Sequence, residues 1–297
     1  MFDPSLSSWN AILSGYSLNG DYKEAINLFR QMQFQNVQPD RTNLAIILSS
    51  CAAMGLLQSG KQSHAASQKA GLHMDNYVAS GLISIYSEGK KLETAKQILE
   101  RLRELDVVCY NAMIAGLSLG SLDEKAFTLF KHMRVKGVMQ TQFSFTTILN
   151  SCAKLHSELI DEGIEIFNSM QLEHGLEPNL DHHTAIIDTL GQAGRFYEAE
   201  VLMDQMPHKD DPIIWEVLLS TCRIHANVGL ARRAARELFH LDPQNSAPYA
   251  LLANIYTSLE RWDDARAVRE LMTQKEVRKN PGYSWIAGLS MKIKLNP

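Results

Sequence analysis

The sequence predicts an all-α fold, an α-solenoid in which helical hairpins stack into a right-handed superhelix. Residues 8–32 return at residues 109–133, an offset of 101, with nine of the 25 positions identical. Apolar residues recur at helical spacing along the chain, and no stretch shows a strand pattern. A single hairpin of this size cannot bury its own apolar face, so we expect each hairpin to bury it against its neighbours.

The offset also divides the chain into repeat units. IILSSCA at 46–52 corresponds to TILNSCA at 147–153, so the repeat extends beyond the first matched stretch. Each block of 101 residues contains three predicted hairpins, whose two helices are separated by polar turns containing glycine. The predicted divisions are a remnant of a preceding repeat at 1–5, units at 6–40, 41–75, 76–106, 107–141, 142–179 and 180–211, an extension at 212–288 and a tail at 289–297.

Two kinds of residue shape these hairpins. Proline ends two units, at Pro39 and Pro178, because it lacks a backbone N–H and clashes with the preceding helical turn. A small residue holds one fixed place in the second helix, where it lets two helices approach closely. That place is held by Ala25, Ala95, Ala126 and Ala199.

Composition and charge exclude some function classes. No apolar run approaches the roughly 18 residues that a membrane-spanning helix needs. Residues 1–211 contain 17 Lys and Arg against 25 Asp and Glu, whereas residues 212–297 contain 12 against 8. Bulk positive charge therefore cannot drive binding by the repeats, which leaves local charge, stacking and hydrogen bonds.

The cysteines do not predict a metal site. Their sequence contains no CxxC pair, which excludes a zinc ribbon and fits a reducing compartment. Three of them follow similar triplets, LSS, LNS and LST, which favours buried packing over metal binding. The four cysteines are Cys51, Cys109, Cys152 and Cys222.

The histidines do not predict a metal or catalytic site either. His156 and Glu158 match the H-x-E half of a zinc deaminase site but lack its CxxC partner, so we expect a solvated turn there. His182 and His183, at the start of a unit, are expected on the surface. We therefore expect neither a metal nor another cofactor.

The units resemble pentatricopeptide repeats. The resemblance rests on SWNAILSGY and EAINLFRQM in the first unit, CYNAMIAGL and AFTLFKHM in the fourth, and DTLGQAGRFYEAEVLMDQMP in the sixth. Unit lengths of about 35, 35 and 31 are similar to the PLS subtype of plant organelles. Residues 212–288, with PIIWEVLLSTC and PGYSWI, resemble the family's E-type extension, two further hairpins of tetratricopeptide character. Residues at packing spacing in this extension are Leu251, Ala253, Tyr256 and Trp262.

The resemblance implies that each repeat binds one nucleotide of single-stranded RNA. The fifth and last residues of a repeat, held on rigid helices, hydrogen-bond the edge of one base. The implied pairs are Asn10 with Asp40, Ser80 with Asp106, Asn111 with Thr141, and Thr184 with Asp211. In the family's code they correspond to U, G, a pyrimidine with C favoured, and G.

The middle units are expected to read bases poorly. Asp75 is paired with Ala45, which has no polar side chain, whereas Thr146 with Asn179 implies A.

Each assignment has a purely structural alternative. Asn10 and Asn111 could be helix caps, although each follows an aromatic residue and recurs at one offset, which favours base reading. The aspartates that end units are expected to cap the next helix in part. Trp9 and Tyr110 could stack on bases, but packing is favoured at a repeat-core position.

The extension carries a cluster of cations. It is either a solvated helix face or a surface for RNA phosphates or a partner, and the sequence favours neither. Its members are Arg232, Arg233 and Arg236 on one predicted helix, and Lys275, Arg278 and Lys279 in a later turn.

Proteins with this layout resemble site-recognition factors for organellar C-to-U RNA editing. The resemblance implies recruitment in trans of a DYW-type deaminase or editing accessory proteins through residues 212–288. Because the chain lacks the HxE…CxxC site, we expect no catalytic activity of its own. We expect a monomer without membrane contacts, in the mitochondrion or alternatively the chloroplast.

Two other functions stay open on the sequence. One is organellar RNA binding for splicing, stability or translation, and the other is a tetratricopeptide-like protein scaffold. Peptide-binding solenoids line their groove with cations, whereas the corresponding places here hold Asn, Ser and Thr. The opening MFDPSLSSWN lacks transit-peptide features, so we expect the natural N-terminus to lie upstream. A truncated or degenerate copy would also lack the deaminase segment.

Overall fold

The computed structural model describes residues 5–153, 160–207 and 210–277, and over these ranges the chain is all-α, as predicted. It divides into two compact units, residues 1–151 and 152–297. The helices around and before this boundary are α1 (Leu6–Leu18), α2 (Tyr22–Phe34), α3 (Arg41–Ala53), α4 (Leu57–Lys69), α5 (Asn76–Glu88), α6 (Leu92–Arg101), α7 (Val107–Leu119), α8 (Asp123–Val135) and α9 (Gln142–Cys152). Those that follow are α10 (Ile160–His174), α11 (Leu180–Gln192), α12 (Phe196–Gln205), α13 (Pro212–Ile224), α14 (Val228–Leu241), α15 (Ser246–Ser258) and α16 (Trp262–Gln274).

The odd-numbered helices are the first helices of the hairpins. They begin at residues 6, 41, 76, 107, 142, 180, 212 and 246. The division into repeats and an extension stays a prediction. Over the described ranges, no helix has the length and apolarity for a bilayer crossing. Several predicted segments lie outside the described residues. They are residues 1–4 of the remnant, the turn at 156–158, the end of the extension and the tail.

Polar side chains determine where most first helices begin. The residue before the helix adopts an extended backbone, and its side-chain oxygen accepts a backbone N–H from the first helical turn. Without that acceptor, the first N–H groups of a helix have no intrahelical partner. The residues with this role are Ser5, Asp40, Asp75, Asp106, Asn179, Asp211 and Asn245.

First helices pack side by side within each of the two compact halves of the chain. Between residues 1 and 151, α1, α3, α5 and α7 are neighbours in chain order, and between residues 152 and 297, α11, α13 and α15 are. Each first helix also packs against the second helix of its own hairpin in the pairs α1–α2, α3–α4, α5–α6 and α7–α8. The alanines predicted to allow close approach, Ala25, Ala95, Ala126 and Ala199, are completely buried.

The aromatic residues before Asn10 and Asn111 are packing residues. Trp9 and Tyr110 are buried, and the Tyr110 hydroxyl is 3.0 Å from Nδ1 of His132. Neither ring is available to stack on a base. This agrees with the packing interpretation of the sequence.

The cysteines are buried and reduced, as the packing interpretation predicts. Burial raises the pKa of the Cys51 thiol to about 11 and that of Cys222 to about 12, so neither forms a thiolate at neutral pH. No group of three His, Cys, Asp or Glu side chains that could hold a metal occurs among the described residues.

Two surface and packing expectations are wrong. His182 and His183 are buried, because the His182 ring accepts the backbone N–H of Asn179 and the His183 ring packs edge-on against Phe167. Trp262 was expected to pack with Ala253 and Tyr256, which are buried, but it begins α16 with 58% of its surface exposed.

Two glycines at the same repeat position predict opposite effects of one substitution. Gly15 and Gly116 are the tenth residues of α1 and α7. A Cβ at Gly116 would lie 2.6 Å from Cβ of Ser87 on α5, whereas a Cβ at Gly15 meets no described atom within 4 Å. We expect Gly116→Ala to lower the free energy of unfolding by about 1–3 kcal/mol through overpacking. Gly15→Ala should raise it by about 0.5–1 kcal/mol, because alanine favours the helix.

Urea unfolding of both variants, followed by circular dichroism, measures the two effects. Equal shifts of the same sign in both variants would contradict close packing of α5 and α7 through Gly116.

Candidate nucleic-acid interface

The residues predicted to read bases hold one place on the first helices. Asn10, Ser80 and Asn111 are the fifth residues of α1, α5 and α7, and Thr184 is the fifth residue of α11. Asn10 and Asn111 lie inside their helices, so the cap alternative does not apply to them. Since α1, α3, α5 and α7 are neighbours, Asn10, Ser80 and Asn111 lie along one row.

Asn10 and Asp40, the fifth and last residues of the first repeat, are in direct contact. Nδ2 of Asn10 donates to Oδ2 of Asp40 over 2.7 Å, and both side chains are half-buried. Oδ1 of Asp40 accepts the backbone N–H of Asn43 at 2.9 Å, so one carboxylate caps α3 and orients Asn10. The expectation that such aspartates cap in part therefore agrees with the structure.

Asn43 completes this network, and the sequence did not single it out. Its Nδ2 donates to Oδ1 of Asn10 over 3.2 Å, and its side chain is fully buried. Asn10 is thereby held at both ends of its amide. The available signal was the spacing, since Asn43 follows the capping Asp40 by three residues, the distance of a capping interaction.

Asn111 and Thr141 repeat the contact in a weaker form. Nδ2 of Asn111 donates to Oγ1 of Thr141 over 3.4 Å. The counterpart of Asn43 is Ser144, which exchanges hydrogen bonds with Thr141 and, among the described residues, forms none with Asn111. Oδ1 of Asn111 has no partner among the described residues, and only 8% of the residue surface is exposed. Asn111 is therefore held at one end of its amide only.

Ser80 and Thr184 make different contacts from the two asparagines. Each hydroxyl donates to a carbonyl of its own helix, Ser80 to Tyr77 and Thr184 to Leu180, both over 2.8 Å. Because its proton is already donated, each hydroxyl can only accept a hydrogen bond from a ligand. Ser80 is 9% exposed and Thr184 is half-buried.

The last residues of these two repeats act as caps. Asp106 accepts the N–H of Cys109, and Asp211 accepts the N–H of Ile213, both over 3.0 Å. In the described part of the chain, no hydrogen bond joins Asp106 to Ser80 or Asp211 to Thr184.

The weaker pairs are also caps or helix-bonded side chains. Asp75 accepts the N–H groups of Tyr77 and Val78, and Ala45 is the fifth residue of its helix, α3. Oγ1 of Thr146 donates to the carbonyl of Gln142. Asn179 caps α11, where its side chain accepts the backbone N–H of His182.

Exposed apolar residues accompany the row of fifth residues, and sequence reasoning missed them. Tyr77, Val108 and Phe143 are the second residues of α5, α7 and α9, and all three are exposed. Each precedes the fifth residue by three positions and so lies on the same helix face. The signal was a large apolar residue just after a cap, where solvent is normally expected.

Two arginines of the predicted cation cluster are occupied. On α14, Nε of Arg232 donates to the Tyr256 hydroxyl over 3.0 Å, and Arg233 forms an ion pair with Glu200. Both arginine side chains nevertheless keep about half of their surface exposed. The structure therefore orients these two cations and leaves the predicted phosphate or partner surface a prediction.

The remaining cations are less constrained. Arg236 on α14 and Lys275, just after α16, are exposed. Arg278 and Lys279 lie outside the described residues.

Models of known families match most of the chain. A model described as PPR repeat family matches residues 4–53 and 105–154, and one described as PPR repeat matches 182–210. A model described as E motif matches 225–287, so it begins one hairpin helix later than the extension predicted at 212. Together these ranges span more than half of the chain.

Known relatives agree with these matches. A pentatricopeptide repeat-containing protein of Arabidopsis thaliana is 36% identical over 95% of this chain and 50% of its own length. The chloroplastic protein CRR2 of the same plant is 34% identical over 94% of this chain and 42% of its length. A crystal structure of the pentatricopeptide repeat protein PPR10 with an 18-nt psaJ RNA element shares the fold, with a TM-score of 0.73 and 18% identity over 93% of this chain and 41% of that one.

The chain thus spans half or less of the length of these relatives. Its hairpins, its matched repeats and its E motif agree with one another. The chain belongs to the pentatricopeptide repeat family.

Proposed function

We propose that this chain binds single-stranded RNA in a plant organelle, one base per repeat, and acts as a site-recognition factor for C-to-U editing. The observation that carries the proposal is the direct contact between fifth and last residues of a repeat. It occurs in Asn10–Asp40 and again, 101 positions later, in Asn111–Thr141. PPR10, which shares the fold, was solved in complex with RNA.

The hydrogen bonds of Asn10 leave a defined edge for a base. An amide has two N–H donors and two oxygen lone pairs. Asp40 takes one donor and Asn43 takes one lone pair, so one donor and one acceptor remain in fixed order. Uracil offers a complementary N–H beside a carbonyl oxygen, in agreement with the base that the family's code assigns to Asn and Asp.

The hydroxyls of Ser80 and Thr184 favour a different base. Because each donates to its own helix, each can only accept from a ligand. Guanine presents two neighbouring N–H donors on its Watson–Crick edge. This agrees with the guanine that the family's code assigns to Ser or Thr with Asp.

The organelle and the editing role are inferred from relatives. Similar Arabidopsis thaliana proteins are named chloroplastic or mitochondrial, which supports an organelle, and we favour the mitochondrion over the chloroplast. The E motif at 225–287 supports recruitment of a DYW-type deaminase or accessory proteins in trans. RNA binding for splicing, stability or translation is the second candidate, favoured by the same contacts.

Asn10→Ala should weaken binding of a matched RNA by about 1 kcal/mol or more, because it removes the amide that faces the base. The loss should depend on the base, being large with U at the first position and small with any other base. Asn27→Ala, on α2 of the same hairpin, is the matched control and should bind like the wild type. Fluorescence anisotropy at fixed low salt measures both. Equal losses for U and the other bases would contradict base reading by Asn10.

A plant line that lacks the gene should lose C-to-U conversion at one or a few organellar sites. The bases upstream of an affected cytidine should fit the order U, any base, G, pyrimidine, A, G. Sequencing of mitochondrial and chloroplast transcripts measures this, with a line expressing the Asn27→Ala protein as control. Unchanged editing together with defective splicing or transcript loss would favour the second candidate.

A further inference from the structure

We propose that the row of base-reading pairs continues past the repeats into the hairpin of α13 and α14, where Glu216 and Asn245 form a further pair. The proposal rests on the proposed function. It concerns residues that the sequence assigned to an extension for partner docking. Glu216 lies on α13, before the range that the E-motif model matches.

The geometry of Glu216 and Asn245 is that of the reading pairs. Glu216 is the fifth residue of α13, and Asn245 is the residue immediately before α15. Nδ2 of Asn245 donates to Oε1 of Glu216 over 3.3 Å, across 29 residues. The contacts of Asn10 and Asn111 with their last residues span 30. Both Glu216 and Asn245 are half-buried, as are Asn10 and Asp40.

The cap role of the last residue is also preserved. Oδ1 of Asn245 accepts the backbone N–H of Ala247 over 3.0 Å, so Asn245 caps α15 while its amide nitrogen holds Glu216. Asp40 divides its two oxygens between α3 and Asn10 in the same way. One residue therefore links the next first helix to the fifth residue of the preceding one.

Within residues 152–297, Glu216 continues the row of fifth residues that starts with Thr184. Its helix α13 packs against α11, which carries Thr184, and on the other side against α15. Ile213, the second residue of α13, is exposed in the place that Tyr77 and Phe143 hold on their helices. The fifth residue of the next first helix, α15, is Ala250, which has no polar side chain to offer a base.

The carboxylate of Glu216 forms no ion pair with any described residue, and Arg233 on the neighbouring α14 pairs with Glu200 instead. Burial, with a smaller contribution from Asp242 and Asp211, raises the pKa of Glu216, and the hydrogen bond from Asn245 opposes this. N–H donors from a ligand would stabilise such a half-buried carboxylate.

The chemistry of the pair selects a base rich in donors. An ionised carboxylate only accepts hydrogen bonds, and the amide of Asn245 is already oriented by Glu216 and Ala247. Guanine offers two adjacent N–H donors, and cytosine and adenine offer an exocyclic amino group. Uracil presents carbonyl oxygens on both sides of its single N–H, and these would face the carboxylate. We therefore assign guanine as the preferred base and uracil as the disfavoured one.

The test varies one base beyond the six assigned to the repeats. Four RNAs of sequence 5′-U-N-G-C-A-G-X, set in an unstructured context and differing only in X, are titrated against the full chain at fixed low salt. We expect guanine at X to bind at least about fivefold more tightly than uracil. Glu216→Gln replaces one acceptor oxygen with donors and should abolish or reverse this preference. Glu270→Gln, exposed on α16, makes the same chemical change elsewhere and should retain it.

The outcomes separate this proposal from the one on which it rests. Base dependence at the first position but none at X would overturn the Glu216 pair and leave RNA reading by the repeats intact. No base dependence at any position would overturn the proposed function itself. A guanine preference at X that persists in Glu216→Gln, with an unchanged thermal melt, would show that another residue selects the base and would overturn the assignment.

Discussion

The structure depends on the side chain that joins one repeat to the next. In the clearest case, Asp40 accepts the N–H of Asn43 with one oxygen and the amide of Asn10 with the other. The first bond fixes where α3 begins, and the second fixes how Asn10 is presented. The fold and the candidate interface therefore share one carboxylate. Its loss would leave an uncapped helix, at a cost of about 0.5–2 kcal/mol, as well as a loosely held amide.

This double role explains why last residues tell less about function than fifth residues do. Asp75, Asp106 and Asp211 all cap a helix, although only some of their repeats contain a polar fifth residue that could bind a base. A cap would be retained for stability alone. The fifth residue of a first helix has no capping role, since α3 forms a complete helix with Ala45 at this position. Under the proposed function, differences among Asn, Ser, Thr and Glu at that place are therefore the ones expected to change which base fits.

Much of the fold could be predicted from the repeat period, because the period records where hairpins start and which face is apolar. The burial and the partners of residues outside the repeated pattern were harder to predict. His182 and His183 are polar by type, yet a capping bond and the Phe167 ring account for their burial. Arg232 and Arg233 form a basic run in sequence, but their partners Tyr256 and Glu200 come from other helices. Contacts of that kind depend on which helix covers which, and spacing along one helix does not contain that information.

The two asparagine pairs hold the same type of side chain with different firmness. Asn10 is bound at both ends of its amide, by a carboxylate at 2.7 Å and by Asn43, whereas Asn111 is bound at one end, by a hydroxyl at 3.4 Å. An amide fixed at both ends presents its donor and acceptor in one order, which discriminates between bases. An amide fixed at one end can accommodate both orders at little cost. The first repeat, residues 6–40, should therefore set the register of an RNA, and repeats such as 107–141 should tolerate variation within it.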